Sequence, residues 1–72
     1  MKSIKVGNLH YLVTEDDLRR LFGCFGGISD IQLFSNQIIN RFAVIVFSNP
    51  EAADKAKVVD GLKIRGRHVT VS

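Results

Sequence analysis

The stretch NRFAVIVF at residues 40–47, together with IKVGNL at residues 4–9, decides the fold of this chain. Both stretches carry apolar side chains at alternate positions, which is the pattern of a half-buried β-strand. In the longer stretch, this alternation predicts Ala43 in a core and Phe42 and Val44 on the opposite face. We therefore expect two strands side by side, with one face covered and one face open.

Two helices are predicted from apolar spacing and from residues typical of helix ends. The first runs from about Thr14 to Phe25, and Thr14 with Asp17 resembles a capping box at its start. The second begins at Pro50, because proline is favoured at the first helical position, and is closed by Gly61.

Two further strands complete the predicted fold. Residues 28–33 form one strand, whose irregular apolar spacing predicts a β-bulge, and residues 35–37 supply a polar turn before the strand at residues 41–47. Val69 and Val71, which alternate with polar neighbours, predict the last strand. The order βαββαβ is typical of a ferredoxin-like α+β fold, a four-stranded antiparallel sheet with two helices on one face.

Composition limits the classes of function. The chain has 72 residues, 46% of them hydrophobic and 24% charged, which fits one small globular domain. Its single cysteine, Cys24, excludes an intramolecular disulfide, and we expect it in or beside the core. No apolar run approaches the roughly 18 residues of a membrane helix, so we expect no membrane anchor. Catalytic, metal-ligand and phosphate-loop motifs are missing from the sequence, which predicts no enzymatic activity, no metal site and no cofactor.

The two strand stretches resemble the paired motifs of the RNA recognition motif family, whose octamer reads K/R-G-F/Y-G/A-F-V-x-F/Y. TEDDLRRLFGCFG at residues 14–26 resembles the family's first helix, and GRHVTV at residues 66–71 resembles its last strand. The resemblance covers nearly the whole chain. It implies a single RNA recognition motif domain over residues 1–72 that binds single-stranded RNA. We expect a monomeric module of a larger intracellular protein, in the nucleus rather than the cytoplasm.

Departures from the family pattern fall on the open face. Rings are usual where this chain has Lys5 and Val44, so Phe42 is the one of three stacking rings that remains. Phe34 on the neighbouring strand either replaces a lost ring or only covers the sheet edge. We expect weak binding or modest sequence preference. The expected RNA contacts are Lys5, Gln32, Phe34, Arg41, Phe42, Val44, Arg67 and His68.

Charge supports RNA binding, and the missing rings leave a second hypothesis open. The formal net charge is +3, and most acidic residues lie on the predicted helices, which predicts a basic sheet side. Ordinary solubility charge is the other reading of this excess. In the second hypothesis, a protein partner binds the apolar sheet face or the tip at residues 38–39. Asn8 is expected to hydrogen-bond a turn. Tyr11 either contacts a base or packs on the helix, and packing is the favoured alternative.

Overall fold

The computed structural model describes residues 2–36 and 40–72. Six strands and two α-helices follow one another in the order β1 (Ser3–Gly7), α1 (Glu15–Phe22), β2 (Ile28–Asn36), β3 (Asn40–Phe47), α2 (Pro50–Ala56), β4 (Lys63–Ile64), β5 (Arg67–His68) and β6 (Thr70–Val71). Strands β2, β3, β1 and β6 form a four-stranded sheet in that order, and β4 pairs with β5 in a separate hairpin. The predicted ferredoxin-like fold is confirmed. The predicted tip at residues 38–39 lies outside the described residues.

The central strand β3 sets the register of the antiparallel sheet. Val44 lies opposite Lys5 of β1 on one side and opposite Gln32 of β2 on the other. Phe34 of β2 lies opposite Phe42 in the same ladder. Directly opposite residues share a face, so the register places the side chains of these five residues on one side of the sheet.

The other side of the sheet carries the core, which both helices cover. Ala43, Ile45 and Phe47 of β3 are each 0% exposed, as the alternation predicts. Helix α1 contributes Leu18 and Phe22. The buried side chains are otherwise those of Ile4, Val6, Leu9, Val13, Ile31, Ala52, Ala53, Ala56, Ile64, Val69 and Val71. A fully buried side chain the size of Phe47 stabilises the fold by about 1.5–3 kcal/mol relative to exposure.

The start of helix α1 follows the prediction and its end does not. The Asp17 N–H donates to Thr14 Oγ1 at 3.3 Å, and the Thr14 N–H donates to Asp17 Oδ2 at 3.1 Å, which completes the capping box. The α-helix ends at Phe22, before the predicted Phe25. A 3₁₀ turn over Gly23–Phe25 takes its place, because the chain tightens to shorter-range hydrogen bonds before the next strand.

Helix α2 begins at Pro50 as predicted. The Asn49 side chain caps it by accepting from the Glu51 N–H at 2.8 Å. The helix ends at Ala56, however, and a 3₁₀ turn over Lys57–Val59 precedes the glycine that was expected to close it.

The boundary of strand β2 differs from the prediction, whereas its bulge is confirmed. The register shifts between Ile28 and Asp30. The turn predicted at residues 35–37 is wrong at its first two positions, because Ser35 pairs with Arg41 and the ladder continues to Asn36. Cross-strand pairing outweighs the turn preference of these polar residues.

The last strand is shorter than the alternation implied. Strands β4 and β5 form a hairpin whose two-residue turn has left-handed backbone at Arg65 (φ 50°) and Gly66 (φ 80°). This is the conformation that tight hairpins favour and that glycine adopts readily. Strand β6 then pairs with β1, with Thr70 opposite Gly7.

Cys24 is exposed, which corrects the expectation that it packs in or beside the core. It lies in the 3₁₀ turn after α1, where its Sγ donates to the Leu21 carbonyl at 3.1 Å. Among the described residues, no helix combines the length and apolar character needed to cross a membrane.

Candidate nucleic-acid interface

Five of the eight predicted contact residues share the side of the sheet that the helices leave uncovered. We call this surface the open face and define it by Lys5, Gln32, Phe34, Phe42 and Val44. Gln32 and Lys5 are exposed, and Val44 lies half-buried between them. The sequence predicted the outward direction of these side chains, and the register now places them next to one another.

Phe34 and Phe42 form the most distinctive feature of the open face, and we call them the ring pair. Their centroids lie 5.0 Å apart with planes inclined by 19°, an offset stack across two strands. Phe34 remains 41% exposed. The ring of Phe34 therefore lies on the same surface as Phe42 and extends an apolar, aromatic area to the edge strand β2.

Lys5 approaches the ring pair from the opposite side. Its Nζ lies 4.7 Å from the centroid of the Phe42 ring, within the range of a cation–π interaction. Because β3 lies between β2 and β1, Phe34 and Lys5 flank Phe42 from the two neighbouring strands. An exposed contact of this kind stabilises by only about 0.5–1 kcal/mol, so a ligand can displace it.

Gly7 contributes no side chain to the open side of the sheet beside Phe42. Val6 lies opposite Ala43, so Gly7 and Phe42 are the next residues along their strands on the open side. A Cβ on Gly7 would come within 2.8 Å of Thr70 Oγ1, so a larger residue would collide with β6. The absence of a side chain at Gly7 leaves the space that the Thr70 hydroxyl approaches.

Arg41 does not join the open face. It alternates with Phe42 and lies half-buried towards the loop after β1, where its Nη1 donates to the carbonyls of Tyr11 and, at 3.4 Å, of His10. The Leu9 N–H donates back to the Arg41 carbonyl at 3.0 Å. The guanidinium therefore holds the backbone of this loop in place. Sequence alone did not indicate this role, because the partners of Arg41 lie about thirty residues away.

Arg67 and His68 lie beside the open face, on strand β5, and both are tied to other groups. Asn8 Oδ1 accepts from Arg67 Nε at 3.0 Å and from Arg67 Nη2 at 2.8 Å. The Asn8 Nδ2 donates to the His68 carbonyl at 2.7 Å, as expected for a turn-bonding role. The His68 Nδ1 lies 2.9 Å from the Gly61 carbonyl, which can only accept.

Arg65, one of the basic residues outside the predicted helices, is neutralised on the helix side. Its Nη2 lies 3.1 Å from Asp17 Oδ2. The pKa of Asp17 is lowered first by the backbone hydrogen bond from Thr14 and, with it, by the Arg65 guanidinium. The predicted charge separation is therefore incomplete, because part of the basic charge is directed towards an acidic helix start.

Tyr11 is 75% exposed and does not pack on the helix as expected. Its ring stacks on His10 with centroids 4.6 Å apart, and the loop backbone beneath it is held by Arg41. The short loop lacks the length to fold this ring back, since the Val13 N–H already closes a turn to the His10 carbonyl at 3.0 Å.

Comparison with known proteins agrees with this architecture. The model of the RNA recognition motif family matches residues 4–70. The chain belongs to the RNA recognition motif family. The matched range includes both strand stretches, the two helices and the hairpin before the last strand.

Curated relatives are identical to this RNA recognition motif at about a third of the aligned positions. RbpE of Nostoc sp. is 35% identical over 74 residues, covering 97% of this chain and 75% of RbpE. RNA binding protein fox-1 homolog 1 of Homo sapiens is 32% identical over 73 residues, covering 99% of this chain and 18% of that protein. The chain thus spans about a fifth of the length of the fox-1 relatives that it matches.

Solved structures share the fold closely. The RRM3 domain of Pes4 superposes with a TM-score of 0.94 at 27% identity, covering 100% of this chain and 89% of that one. The RNA recognition motif of Rna15, solved with bound RNA (GU), superposes with a TM-score of 0.83 at 20% identity, covering 99% and 80%. At that identity, the second match bears on the fold alone.

Within residues 2–36 and 40–72, no group of three or more acidic, histidine or cysteine side chains is arranged to hold a metal ion. The open face offers the polar and aromatic groups of its own side chains. These are two adjacent aromatic rings, one ammonium group and one carboxamide.

Proposed function

We propose that this domain binds single-stranded RNA on the open face, with bases stacked on the ring pair. The observation that carries the proposal is the offset stack of Phe34 and Phe42 on the uncovered side of the sheet. Stacking of a base on an aromatic side chain contributes about 1–3 kcal/mol and tolerates any base. Phe34 would supply on β2 the aromatic surface that the usual motif positions lack at Lys5 and Val44.

Lys5 has two successive roles in this proposal. In the free domain, its ammonium lies over the Phe42 ring, in the space that a stacked base would occupy. The base displaces it, and the released ammonium then reaches a phosphate. Because the lysine side chain is long and flexible, this exchange costs little free energy. The loss of the cation–π contact is offset by neutralisation of phosphate charge.

Sequence preference is expected to be modest. Gln32, opposite Val44, is the carboxamide of the open face and can both donate to and accept from a base edge. Stacking and phosphate contacts carry little sequence information. With few edge-reading groups beside the ring pair, we infer a domain of weak selectivity that acts by binding rather than catalysis. In a longer protein, a neighbouring domain could add to the affinity through linkage.

An amide-shift titration of the labelled domain with short random oligoribonucleotides tests the proposal. We expect shifts on β1, β2 and β3, centred on Lys5, Phe34 and Phe42, and a weaker response as salt rises from about 50 to 200 mM. The Val58→Ala variant, which alters a 78% exposed side chain after α2, is the matched control and should bind as the original chain does.

The same titration separates RNA binding from the protein-interaction hypothesis. Shifts confined to the helices, or no shifts at low salt, would contradict RNA binding on this surface. The open face would then be examined as a docking surface, since Phe34 and the half-buried Val44 and Val46 provide apolar area there. A domain that stays monomeric and captures no partner would argue against that second function.

A further inference from the structure

Asn8 links two parts of the molecule that meet beside the open face. It is the first residue after β1 and adopts a left-handed backbone, with φ at 61°. Its Nδ2 donates to the His68 carbonyl at 2.7 Å, and its Oδ1 accepts from the Nε and Nη2 of Arg67 at 3.0 and 2.8 Å. One carboxamide therefore fixes both the backbone of β5 and the orientation of a guanidinium.

The hydrogen bonds to Asn8 leave the far end of the Arg67 guanidinium available. An arginine has five N–H donors, and Asn8 uses the side formed by Nε and Nη2. Both hydrogens of Nη1 and the second hydrogen of Nη2 remain at the opposite end. That end has the forked geometry that binds two oxygens of a phosphate group.

The charge of Arg67 also remains available, in contrast to that of Arg65 in the same hairpin. Within the described part of the chain, the ion pairs are those of Arg19 with Glu15 and of Arg65 with Asp17. Arg65 is held by a carboxylate, whereas Arg67 is held by a neutral amide. A neutral partner orders the side chain without cancelling its charge, which lowers the entropic cost of binding an anion.

The cluster of Asn8 and Arg67 lies at the end of β1 that is next to Phe42. Asn8 directly follows Gly7, which lies beside Phe42 in the register of β1 and β3, and the Leu9 N–H bond to the Arg41 carbonyl continues the pairing past the end of β1. Arg67 lies on the separate β4–β5 hairpin and is joined to this strand end by its bonds to Asn8. At this strand end we place the phosphate that adjoins a base stacked on Phe42.

We propose that Asn8 is a positioning residue that presents the Arg67 guanidinium to a phosphate of the bound RNA. This inference rests on the proposed function and adds to it a fixed anion contact beside the ring pair. Arg67 touches the ligand, and Asn8 acts through Arg67.

A double-mutant cycle with Asn8→Gly and Arg67→Gln tests the inference, because glycine tolerates the left-handed backbone. We expect Arg67→Gln to weaken binding about tenfold at low salt and to reduce the salt slope by about 0.7, equally for all RNA sequences. Asn8→Gly should weaken binding about threefold and have almost no further effect when Arg67 is already glutamine. The Nε–H signal of Arg67 should lose its protection from exchange in Asn8→Gly, which checks that the Asn8 carboxamide holds the guanidinium in solution. The coupling with Arg67→Gln is the readout that a purely structural role of Asn8 would not produce.

Arg65→Gln is the matched control, since it removes an arginine from the same hairpin that is already paired with Asp17. It should leave RNA affinity within about twofold. If Asn8→Gly does not fold, Arg67→Lys replaces it, because lysine keeps the charge but cannot fill both bonds to Asn8 and should bind less tightly than the original chain.

Four results would overturn the inference. Additive losses in the double variant would show that Asn8 acts independently of Arg67. A loss in Arg67→Gln that depends on RNA sequence would assign Arg67 to a base edge. Unchanged affinity in Arg67→Gln, with binding still dependent on Phe42, would reject this contact and leave the proposed function in place. Absence of RNA binding by the original chain would reject both.

Discussion

The two faces of strand β3 have different roles, one in the core and one on the open face. Its inward residues Ala43, Ile45 and Phe47 are fully buried beneath the helices. Its outward residues Phe42, Val44 and Val46 are half-buried, and Phe42 contacts the Phe34 ring and the Lys5 ammonium. The inward set stabilises the fold by removing apolar surface from water, whereas the outward set holds aromatic surface at the boundary with water. Stability and binding should therefore respond to different substitutions on one strand.

The largest expected effect is on the inward face. Phe47→Ala should lower the free energy of unfolding by about 3–5 kcal/mol, because it removes a buried ring and leaves a cavity. A domain of this size has little stability in excess of that loss. Denaturant unfolding of Phe47→Ala beside Phe42→Ala measures the difference. Equal losses in the two variants would contradict the separation of the faces.

The next largest expected effect is that of Phe42→Ala, and it is a loss of RNA affinity. We expect the binding free energy for RNA to fall by about 1–3 kcal/mol. Phe42→Leu, which keeps apolar area but not the flat ring, should lose nearly as much. Fluorescence anisotropy with a labelled oligoribonucleotide measures both affinities, and circular dichroism checks that both variants fold. Full affinity in a folded Phe42→Ala domain would remove the ring pair from the binding mode.

Replacement of Lys5 should change the salt dependence more than the affinity. Lys5→Gln removes the ammonium that flanks Phe42 and, with it, the phosphate contact that we propose for the displaced side chain. The slope of log affinity against log salt should fall by about 0.7, with near-equal affinities at high salt. Lys5→Arg is the control that keeps the charge. An unchanged slope in Lys5→Gln would mean that its ammonium never reaches a phosphate.

The smallest expected effect is a change in thermal stability at Asp17 of helix α1, away from the open face. Asp17 has a lowered pKa, so its ionised form stabilises the fold above the pKa of the unfolded chain. Asp17→Asn should therefore lower the melting temperature at neutral pH and leave RNA affinity unchanged. As pH falls below about 4, the original chain binds a proton at Asp17 and loses this advantage, so the two melting temperatures should converge. A difference in melting temperature that stays constant with pH would show that the charge of Asp17 does not stabilise the fold.

The sequence predicted the fold well because its signals are local. Alternation in residues 40–47, the cap at Thr14 and Pro50 at the start of α2 each depend on neighbouring residues. Helix lengths were overestimated because the change from α to 3₁₀ hydrogen bonding after Phe22 and Ala56 depends on how each helix meets the next segment.

The candidate site was predictable only in part, because its geometry is set by partners distant in the chain. Alternation predicted that Phe34 and Phe42 point outward, but only the register shows that they stack. The fixation of Arg41 by loop carbonyls and of Arg67 by Asn8 involves separations of about thirty and sixty residues. For Asn8, the sequence indicated a hydrogen bond to a turn, through its match to the family's asparagine after the first strand, and not the bonds to Arg67.

The most direct test of the central claim is the observation of the Phe34 and Phe42 ring protons during titration with single-stranded RNA. Selective ring labelling allows shifts and intermolecular NOEs to base protons to be measured. Stacking predicts ring-current shifts at both residues, NOEs to bases, and loss of the proximity between Lys5 and the Phe42 ring. Saturating RNA binding that leaves both rings unshifted, with Lys5 still over Phe42, would contradict the account.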